Sequence, residues 1–329
     1  FLWWQIVILK SEVSMKASFI NSYGGPDVLE IGEIPDPVPS KGTVLVSVKA
    51  ASVNPLDFKI RSGALKIVTG SKFPKVLGTD FSGVIQKLGE GVTDFKVGDS
   101  VYGAVTTFIG KQGALAELVV APANAIRPLP EKLSYESAAS LPVAALTALN
   151  GFRQCGDISA KKVLVNGATG GVGHFAVHIA KARGAEVTAV CSSKNFDFAK
   201  QLGANDVIDY SKTDILTNGK KYDVLFDAYG KLNFKDASAV LTDNGYYVST
   251  LLTPFSFFSV ILSKLFGGKR LIPGNMRAKP EDYIELESLL SIGKIKPVIG
   301  MTFSLSQTKE AISAIESGKA KGKIIVKMF

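Results

Sequence analysis

The chain is 329 residues long, 46% hydrophobic and 20% charged, with 32 glycines. That length exceeds the ~250–300 residues a single core usually organises, so two domains are expected, and the composition excludes disordered and fibrous classes. The formal charge of +9 would favour polyanions, but the 38 basic residues are scattered without a run, so no nucleic-acid partner is expected.

The opening Phe1-Leu2-Trp3-Trp4-Gln5-Ile6-Val7-Ile8-Leu9 is apolar but well short of the ~20 residues that span a bilayer. It also lacks the basic region and small-residue cleavage site of a leader. Met15 opens a strand-like run, so residues 1–14 read as an extension, with a short membrane-surface anchor as the rival reading. From Met15 to about Pro130, short β-branched runs alternate with Gly, Pro and Asp. Residues 42–49 alternate apolar with polar, Phe81-Ser82-Gly83-Val84-Ile85 follows, and 96–102 read as a turn feeding a strand. This pattern predicts a mainly β, barrel-like unit.

After Ser134 the rhythm changes, and 137–150 predict one small-residue helix. Strands at 161–166, 186–190, 206–209 and 222–226 then alternate with helices at 172–183 and 196–202, the order of βαβ units with a parallel sheet. Helices at 280–292 and 307–316 and a closing strand at 323–327 depart from that order and are assigned back to the N-terminal half. The cysteines, Cys155 and Cys191, lie in or beside regular elements, which fits a reduced cytoplasmic protein better than a disulfide framework.

Lys162-Val163-Leu164-Val165-Asn166 runs directly into Gly167-Ala168-Thr169-Gly170-Gly171-Val172-Gly173 and a helix with Phe175, Ala176, Ile179 and Ala180 on one face. Glycines there permit a tight turn and let backbone N–H groups approach a pyrophosphate at a helix N-terminus. Ala168 stands at the first glycine of the dinucleotide fingerprint, followed by Gly170 and Gly173. Despite that departure, the sequence of strand, turn, helix and second strand points to a dinucleotide site. Where an NAD enzyme places a carboxylate on the ribose 2′-hydroxyl, this chain has Cys191-Ser192-Ser193-Lys194. Two hydroxyls and an ammonium in that loop favour NADPH over NADH. His174 and His178 sit four apart on one helix with no third ligand near in sequence. They are read as partly exposed helix residues rather than metal ligands. No Ser-His-Asp or Cys-His constellation is evident, so the chemistry is expected to reside in the cofactor.

Several stretches together resemble the medium-chain dehydrogenase/reductases, and more closely their quinone oxidoreductase branch, with its chloroplast-envelope and bacterial members. They are Ser52-Val53-Asn54-Pro55-Leu56-Asp57-Phe58-Lys59, Leu77-Gly78-Thr79-Asp80-Phe81-Ser82-Gly83-Val84, Phe95-Lys96-Val97-Gly98-Asp99-Ser100-Val101, Leu141-Pro142-Val143-Ala144-Ala145-Leu146-Thr147-Ala148, the glycine-rich turn and Gly322-Lys323-Ile324-Ile325-Val326. The resemblance implies a doubly wound α/β Rossmann domain over 146–277. It also implies a mainly β GroES-like catalytic domain built from 15–145 and 278–329, with the active site in the cleft between them, and a homodimer. Asn54 to Asp57 and Thr79-Asp80 stand where zinc alcohol dehydrogenases carry a cysteine ligand and a His-Glu pair, which implies a site without zinc. Lacking a Lewis acid, such a site has no means of activating a simple alcohol, whereas a conjugated acceptor delocalises incoming charge by itself.

The function implied is NADPH-dependent hydride transfer to a quinone or to the activated C=C of an α,β-unsaturated carbonyl, alkenals included. An enoyl-thioester reductase and an NADPH-binding membrane- or RNA-associated protein with little turnover are the alternatives. The resemblance puts Asn54 and Thr147 beside the nicotinamide, with Asn54 a hydrogen-bond donor to the developing enolate and Asp57 a support for its loop. It puts Gly170, Gly171 and Val172 on the pyrophosphate, and Ser193, Lys194 and Tyr210 on the 2′-phosphate. Thr250 and Leu251 fall at the nicotinamide end, and Lys323 reaches the cofactor from the returning C-terminal segment. Lys59 replaces a tyrosine that many bacterial members carry. The apolar stretch 254–266, closed by Gly267-Gly268-Lys269-Arg270, is expected to line the cleft or a dimer contact, with peripheral docking on an anionic membrane as the alternative.

Overall fold

A computed structural model describes residues 14–105, 112–251, 260, 261, 263 and 268–329. The expectations for 1–14 and 254–266 therefore fall almost wholly outside the described residues.

The catalytic half is organised on β3 (Thr43–Val53), whose Val44, Val46 and Val48 alternate into the core. It pairs antiparallel with β5 (Asp80–Leu88), β7 (Leu118–Pro122) and β16 (Lys323–Lys327). The sheet continues to β15 (Ile299–Ser304) beyond β16, and to β6 (Ser100–Ala104) and β8 (Ile126–Pro128) beyond β5. The C-terminal strand thus lies beside residues 50–53, with Ile324 opposite Val53. A second sheet holds β1 (Ser14–Ile20), β2 (Leu29–Pro35) and β4 (Lys75–Val76). Two short helices, α1 (Pro55–Arg61) and α2 (Lys66–Thr69), follow β3 directly.

The second half has six parallel strands in the order β11 (Asp206–Asp209), β10 (Glu186–Cys191), β9 (Lys162–Asn166), β12 (Tyr222–Asp227), β13 (Leu241–Ser249), β14 (Arg270–Pro273). Counted from β9, this is the 3-2-1-4-5-6 order of doubly wound dinucleotide folds. Val163 and Val165 point to one face and Leu164 to the other, as a strand covered on both sides requires. Helix α5 (Gly173–Ala182) covers the first face with Phe175, Ala176, Ile179 and Ala180. Helix α7 (Phe234–Ala239) covers the second through Ala237, and α6 (Phe196–Gln201) links β10 to β11. The architecture is a GroES-like catalytic domain joined to a Rossmann domain.

The single helix expected over 137–150 is instead two, α3 (Tyr135–Ala139) and α4 (Pro142–Arg153). Pro142 has no N–H to continue the first helix and is preorganised to begin a second. Helix α4 runs unbroken past residue 145, so a rigid helix joins the halves. A further helix, α8 (Pro280–Ser291), bridges them from outside. Its Asp282 pairs with Arg153, its Glu285 takes Arg153 and Arg183 at 2.6 Å each, and its Glu287 takes Tyr102 and Arg127 at 3.0 and 3.1 Å. The last helix, α9 (Thr308–Glu316), packs Ala311 and Ile312 under the β-barrel core.

Candidate active site

Where β3 ends and α1 begins, Asn54 is the helix N-cap and Asp57 its third residue. The Asp57 carboxylate reaches back to accept the Asn54 backbone N–H at 2.7 Å and takes the Gly78 N–H at 2.9 Å. That is the loop-supporting part expected of Asp57. The Asn54 amide faces two further segments. Its Nδ2 donates to Asp80 Oδ2 at 3.0 Å, and its Oδ1 accepts from Lys323 Nζ at 2.7 Å. Asp80 Oδ2 also accepts the Ser52 hydroxyl at 2.7 Å and lies 3.6 Å from Lys323 Nζ, while Asp80 Oδ1 takes the Val143 N–H at 2.9 Å. Thr147 lies one turn beyond Val143 on α4. All of these polar residues are at most 5% exposed.

Burial sets the proton affinities here. It pushes the Asp57 carboxyl up to about 6, opposed by the N–H groups of Asn54 and Gly78. It pushes the Lys323 ammonium below its ordinary value, opposed by the charges of Asp80 and Asp57. Charges in so dry a setting interact more strongly than in water and are costly to leave unpaired.

Lys323 also touches the glycine-rich turn, for a Cβ placed on Gly171 would lie 3.3 Å from its Cδ. At Gly173 the constraint is absolute, since a Cβ would sit 2.0 Å from the Gly167 carbonyl oxygen. Thr169 O accepts the Gly322 N–H at 2.9 Å, so the turn is fastened to the segment that carries Lys323. Gly170, Gly171 and Val172 thus lie between the fastened turn and the N-terminus of α5, each partly exposed. The expectation of a partly exposed His174 is corrected, because its side chain is fully buried. One ring nitrogen, Nδ1, donates to Gly170 O at 2.9 Å, and Nε2 accepts the Val298 N–H at 3.3 Å. Burial pushes this imidazole down to about 3, so it stays neutral.

Ser193, Lys194 and Tyr210 form a separate rim at the carboxyl ends of β10 and β11. Lys194 and Tyr210 are exposed. Asn195, beside them, donates to Thr169 Oγ1 at 3.3 Å and so ties this rim to the turn. The loop's own sequence has no carboxylate, yet the sheet supplies one, because Asp209 pairs in register with Cys191. Asp209 Oδ1 is committed to the Ser211 N–H and hydroxyl at 2.9 and 2.7 Å. A cleft of about 460 Å³ adjoins this rim, lined by Asn166, Val190, Tyr210, Ser211, Tyr229 and Lys231. It lies outside the strands' carboxyl ends, where doubly wound folds bind dinucleotides. Thr250 and Leu251 follow β13, with Thr250 Oγ1 bonded to Asp227 O at 3.1 Å.

Asp227, which sequence reasoning missed, is the buried hub of that region. It accepts from Asn166, the Gly230 N–H, the Leu232 N–H and Tyr247 at 2.9 to 3.1 Å. The one signal available was a carboxylate closing the apolar run Val224-Leu225-Phe226. Ser52 and Asp80 are also absent from the sequence-derived site. Asp80 carried a similar signal, a carboxylate opening the apolar run of β5.

The catalytic-half cluster does not suit zinc. Its side chains offer amide, hydroxyl, carboxylate and ammonium but no thiol or imidazole, both Asp57 oxygens and both Asp80 oxygens are already bonded, and Lys323 supplies the positive charge. Among the described residues no cluster of His, Cys, Asp and Glu could hold a metal ion.

A GroES-like domain joined to a Rossmann domain, with a buried polar cluster beside the glycine-rich turn, is an oxidoreductase by class. The alcohol dehydrogenase GroES-like domain family matches residues 40–131, and the zinc-binding dehydrogenase family matches 202–326. The chloroplast envelope quinone oxidoreductase homolog of Arabidopsis thaliana is 36% identical over 324 residues, covering 95% of this chain and 98% of that protein. The 2-methylene-furan-3-one reductase of Solanum lycopersicum is 34% identical over 95% of this chain and 79% of its own length. The quinone oxidoreductase of Coxiella burnetii superposes with a TM-score of 0.88 at 32% identity, covering 96% of this chain and all of that one. The protein belongs to the medium-chain dehydrogenase/reductase superfamily, in its quinone oxidoreductase branch.

Proposed function

We propose that the protein is a zinc-independent, NADPH-dependent reductase that delivers hydride to a quinone or to the activated C=C of an α,β-unsaturated carbonyl. The observation that carries this reading is Lys323. Its stem lies over Gly171 of the phosphate-binding turn, while its ammonium is buried on Asn54 and beside Asp80. A positive charge thus stands where cofactor and acceptor would meet. When bound, the cofactor supplies the hydride. An acceptor that takes up hydride in conjugation gathers negative charge on oxygen, and a preorganised donor in a dry site stabilises that charge better than water does. Oxidising a simple alcohol would instead require a group that lowers the hydroxyl pKa, a task for which the committed carboxylates of Asp57 and Asp80 are unsuited.

In this reading Gly170, Gly171 and Val172 hold the pyrophosphate, and Ser193, Lys194 and Tyr210 hold the 2′-phosphate. Thr147, Thr250 and Leu251 flank the nicotinamide. Residues 15–145 with 278–329 form the catalytic domain, and 146–277 form the cofactor domain. Tomato 2-methylene-furan-3-one reductase, by its name, reduces a conjugated ketone, which supports the enone half of the reading. The free, buried Cys155 and Cys191 suit the reducing cytoplasm, and we propose a homodimer there.

The test is NADPH consumption with 1,2-naphthoquinone, a short alkenal, a long-chain alkenone and crotonyl-CoA, with and without a zinc chelator. Turnover of the quinone or an enone, unaffected by chelation, is expected. Turnover confined to alcohols with NADP⁺, or abolished by chelation, would refute the proposal, and turnover confined to crotonyl-CoA would move it to thioesters.

A further inference from the structure

We infer that Asp80 is a positioning residue: it fixes the Asn54 amide with its oxygen toward Lys323, and so makes the Lys323 ammonium, rather than Asn54, the donor to the acceptor's oxygen. This inference rests on the reading of the site as a reductase. Asp80 binds donors from three separate segments. Ser52 and Asn54 come from the end of β3, Val143 from the first turn of α4, and Lys323 from the start of β16. An amide can be turned either way, but a carboxylate 3.0 Å from Nδ2 selects one orientation. The opposite one would set the amide oxygen against the carboxylate and the amide N–H groups against the ammonium.

The consequence concerns which group has a hydrogen to spare. In the selected orientation Asn54 Nδ2 spends one hydrogen on Asp80 and turns the other to Ser52 O at 3.4 Å. Only that weakly held hydrogen could turn to an oxyanion, against two on Lys323, so the donor role the family resemblance gives Asn54 falls chiefly to Lys323. Lys323 has three hydrogens. One is engaged with Asn54 Oδ1 at 2.7 Å, while its other neighbours, Val53 O and Asp80 Oδ2, stand at 3.4 and 3.6 Å. A ligand oxygen can therefore recruit a Lys323 hydrogen without breaking a short bond. By its Val143 bond the same carboxylate sets the register of α4, and with it Thr147.

The charged or titratable groups facing Lys323 are Asp80 from β5, Asp57 from α1 and His174 from α5. His174 is neutral, and Asp57 is tied to two backbone N–H groups. Asp80 is thus the chief counter-charge beside Lys323 in a dry site.

Asp80→Asn preserves shape and removes that charge. With NADPH and 1,2-naphthoquinone, kcat should fall on the order of 100-fold, as for loss of one oxyanion donor, with the KM for NADPH changed less than about threefold. The alkaline limb of the kcat profile should move down by about one pH unit. A merely structural Asp80 would leave that limb in place. Lys323→Met should show a similar loss, and Asp80→Asn with Lys323→Met should be no worse than Lys323→Met alone. An unmoved limb, or losses that multiply in the double variant, would overturn the inference.

A second readout needs no turnover. Nitrogen NMR of the lysine Nζ groups, with the Lys323 signal assigned by its absence in Lys323→Met, should show the Lys323 titration shifted down in Asp80→Asn. Should wild-type protein turn over no quinone or enone, the reductase reading fails, and this titration still decides whether Asp80 governs Lys323. Should Asp80→Asn not fold, Ser52→Ala, which removes one donor to Asp80 Oδ2, should shift the same titration in the opposite direction and by less.

Discussion

The two ends of the cofactor groove are built on opposite plans. At the catalytic end, Asn54 and Lys323 meet although 269 residues separate them in the chain, and the four segments that converge there leave the cluster buried and almost fully bonded. At the other end, Ser193, Lys194 and Tyr210 stand on two adjacent loops, largely exposed. The contrast fits the chemistry proposed for each end. Stabilising a transient oxyanion needs fixed dipoles in a dry site, which only long-range packing provides. Discriminating a dianionic 2′-phosphate needs only a cation within reach, which a solvated loop supplies at modest strength.

Substitutions at the turn between the two ends should show how unequal their tolerance is. Gly173→Ala is expected to have the largest effect. Its Cβ would fall 2.0 Å from the Gly167 carbonyl oxygen, backbone that cannot give way without reshaping the turn. A loss of stability of about 3 kcal/mol or more, together with loss of NADPH binding by fluorescence titration, is expected. Gly171→Ala is the sharper comparison. The new methyl would meet the flexible Lys323 stem at 3.3 Å rather than backbone. The melting temperature should stay within a few degrees of wild type, while kcat with a quinone falls roughly tenfold as the ammonium is displaced.

Asp57 gives the catalytic end a pH signature that the exposed end lacks. In an unfolded chain its carboxyl titrates near 3.8, and in the fold near 6, through burial. Between those values the folded protein holds a proton that unfolding releases, so stability falls as pH rises through that window and is level above it. The change attributable to this group is up to about 3 kcal/mol. Urea unfolding of wild type and Asp57→Asn at pH 4 and pH 7 checks the sign. Wild type should be most favoured relative to the variant at the lower pH, and an equal difference at both would show that Asp57 is not perturbed.

What could be read in the sequence follows the same division. The glycine-rich turn was legible because strand, glycines and helix are contiguous, and the parallel strands β9 to β12 because each carries a short apolar run. Strand β13 was not, since Thr242-Asp243-Asn244-Gly245 interrupts its apolar pattern where the register shifts. His174 looked like a surface residue because a polar side chain on a helix usually is. Its partner, the Val298 N–H, lies 124 residues away. Asp80 was visible as a carboxylate opening β5 and standing where others carry metal ligands, but its bonds to Ser52, Val143 and Lys323 depend on how β3, α4 and β16 converge. Asp209 reaches the rim of Ser193 and Lys194 from a neighbouring strand, through a pairing register that the loop's own sequence does not encode.

That neighbour bears on the smallest effect expected. Lys194 is exposed and stands near Asp209, whose Oδ1 is engaged by Ser211, while Asp214 lines the adjoining cleft. Its ammonium is free to meet a 2′-phosphate, but solvent screens the contact, so its worth is roughly 1–1.5 kcal/mol. Lys194→Ala should weaken NADPH binding about tenfold and leave NADH binding and the melting temperature unchanged. The wild-type advantage for NADPH should shrink as salt is raised, because an exposed ion pair is screened within roughly 10 Å at 0.1 M ionic strength. Equal loss of both cofactors would mean that Lys194 supports the loop instead of reading the phosphate. The preference would then have to come from Ser193 and Tyr210.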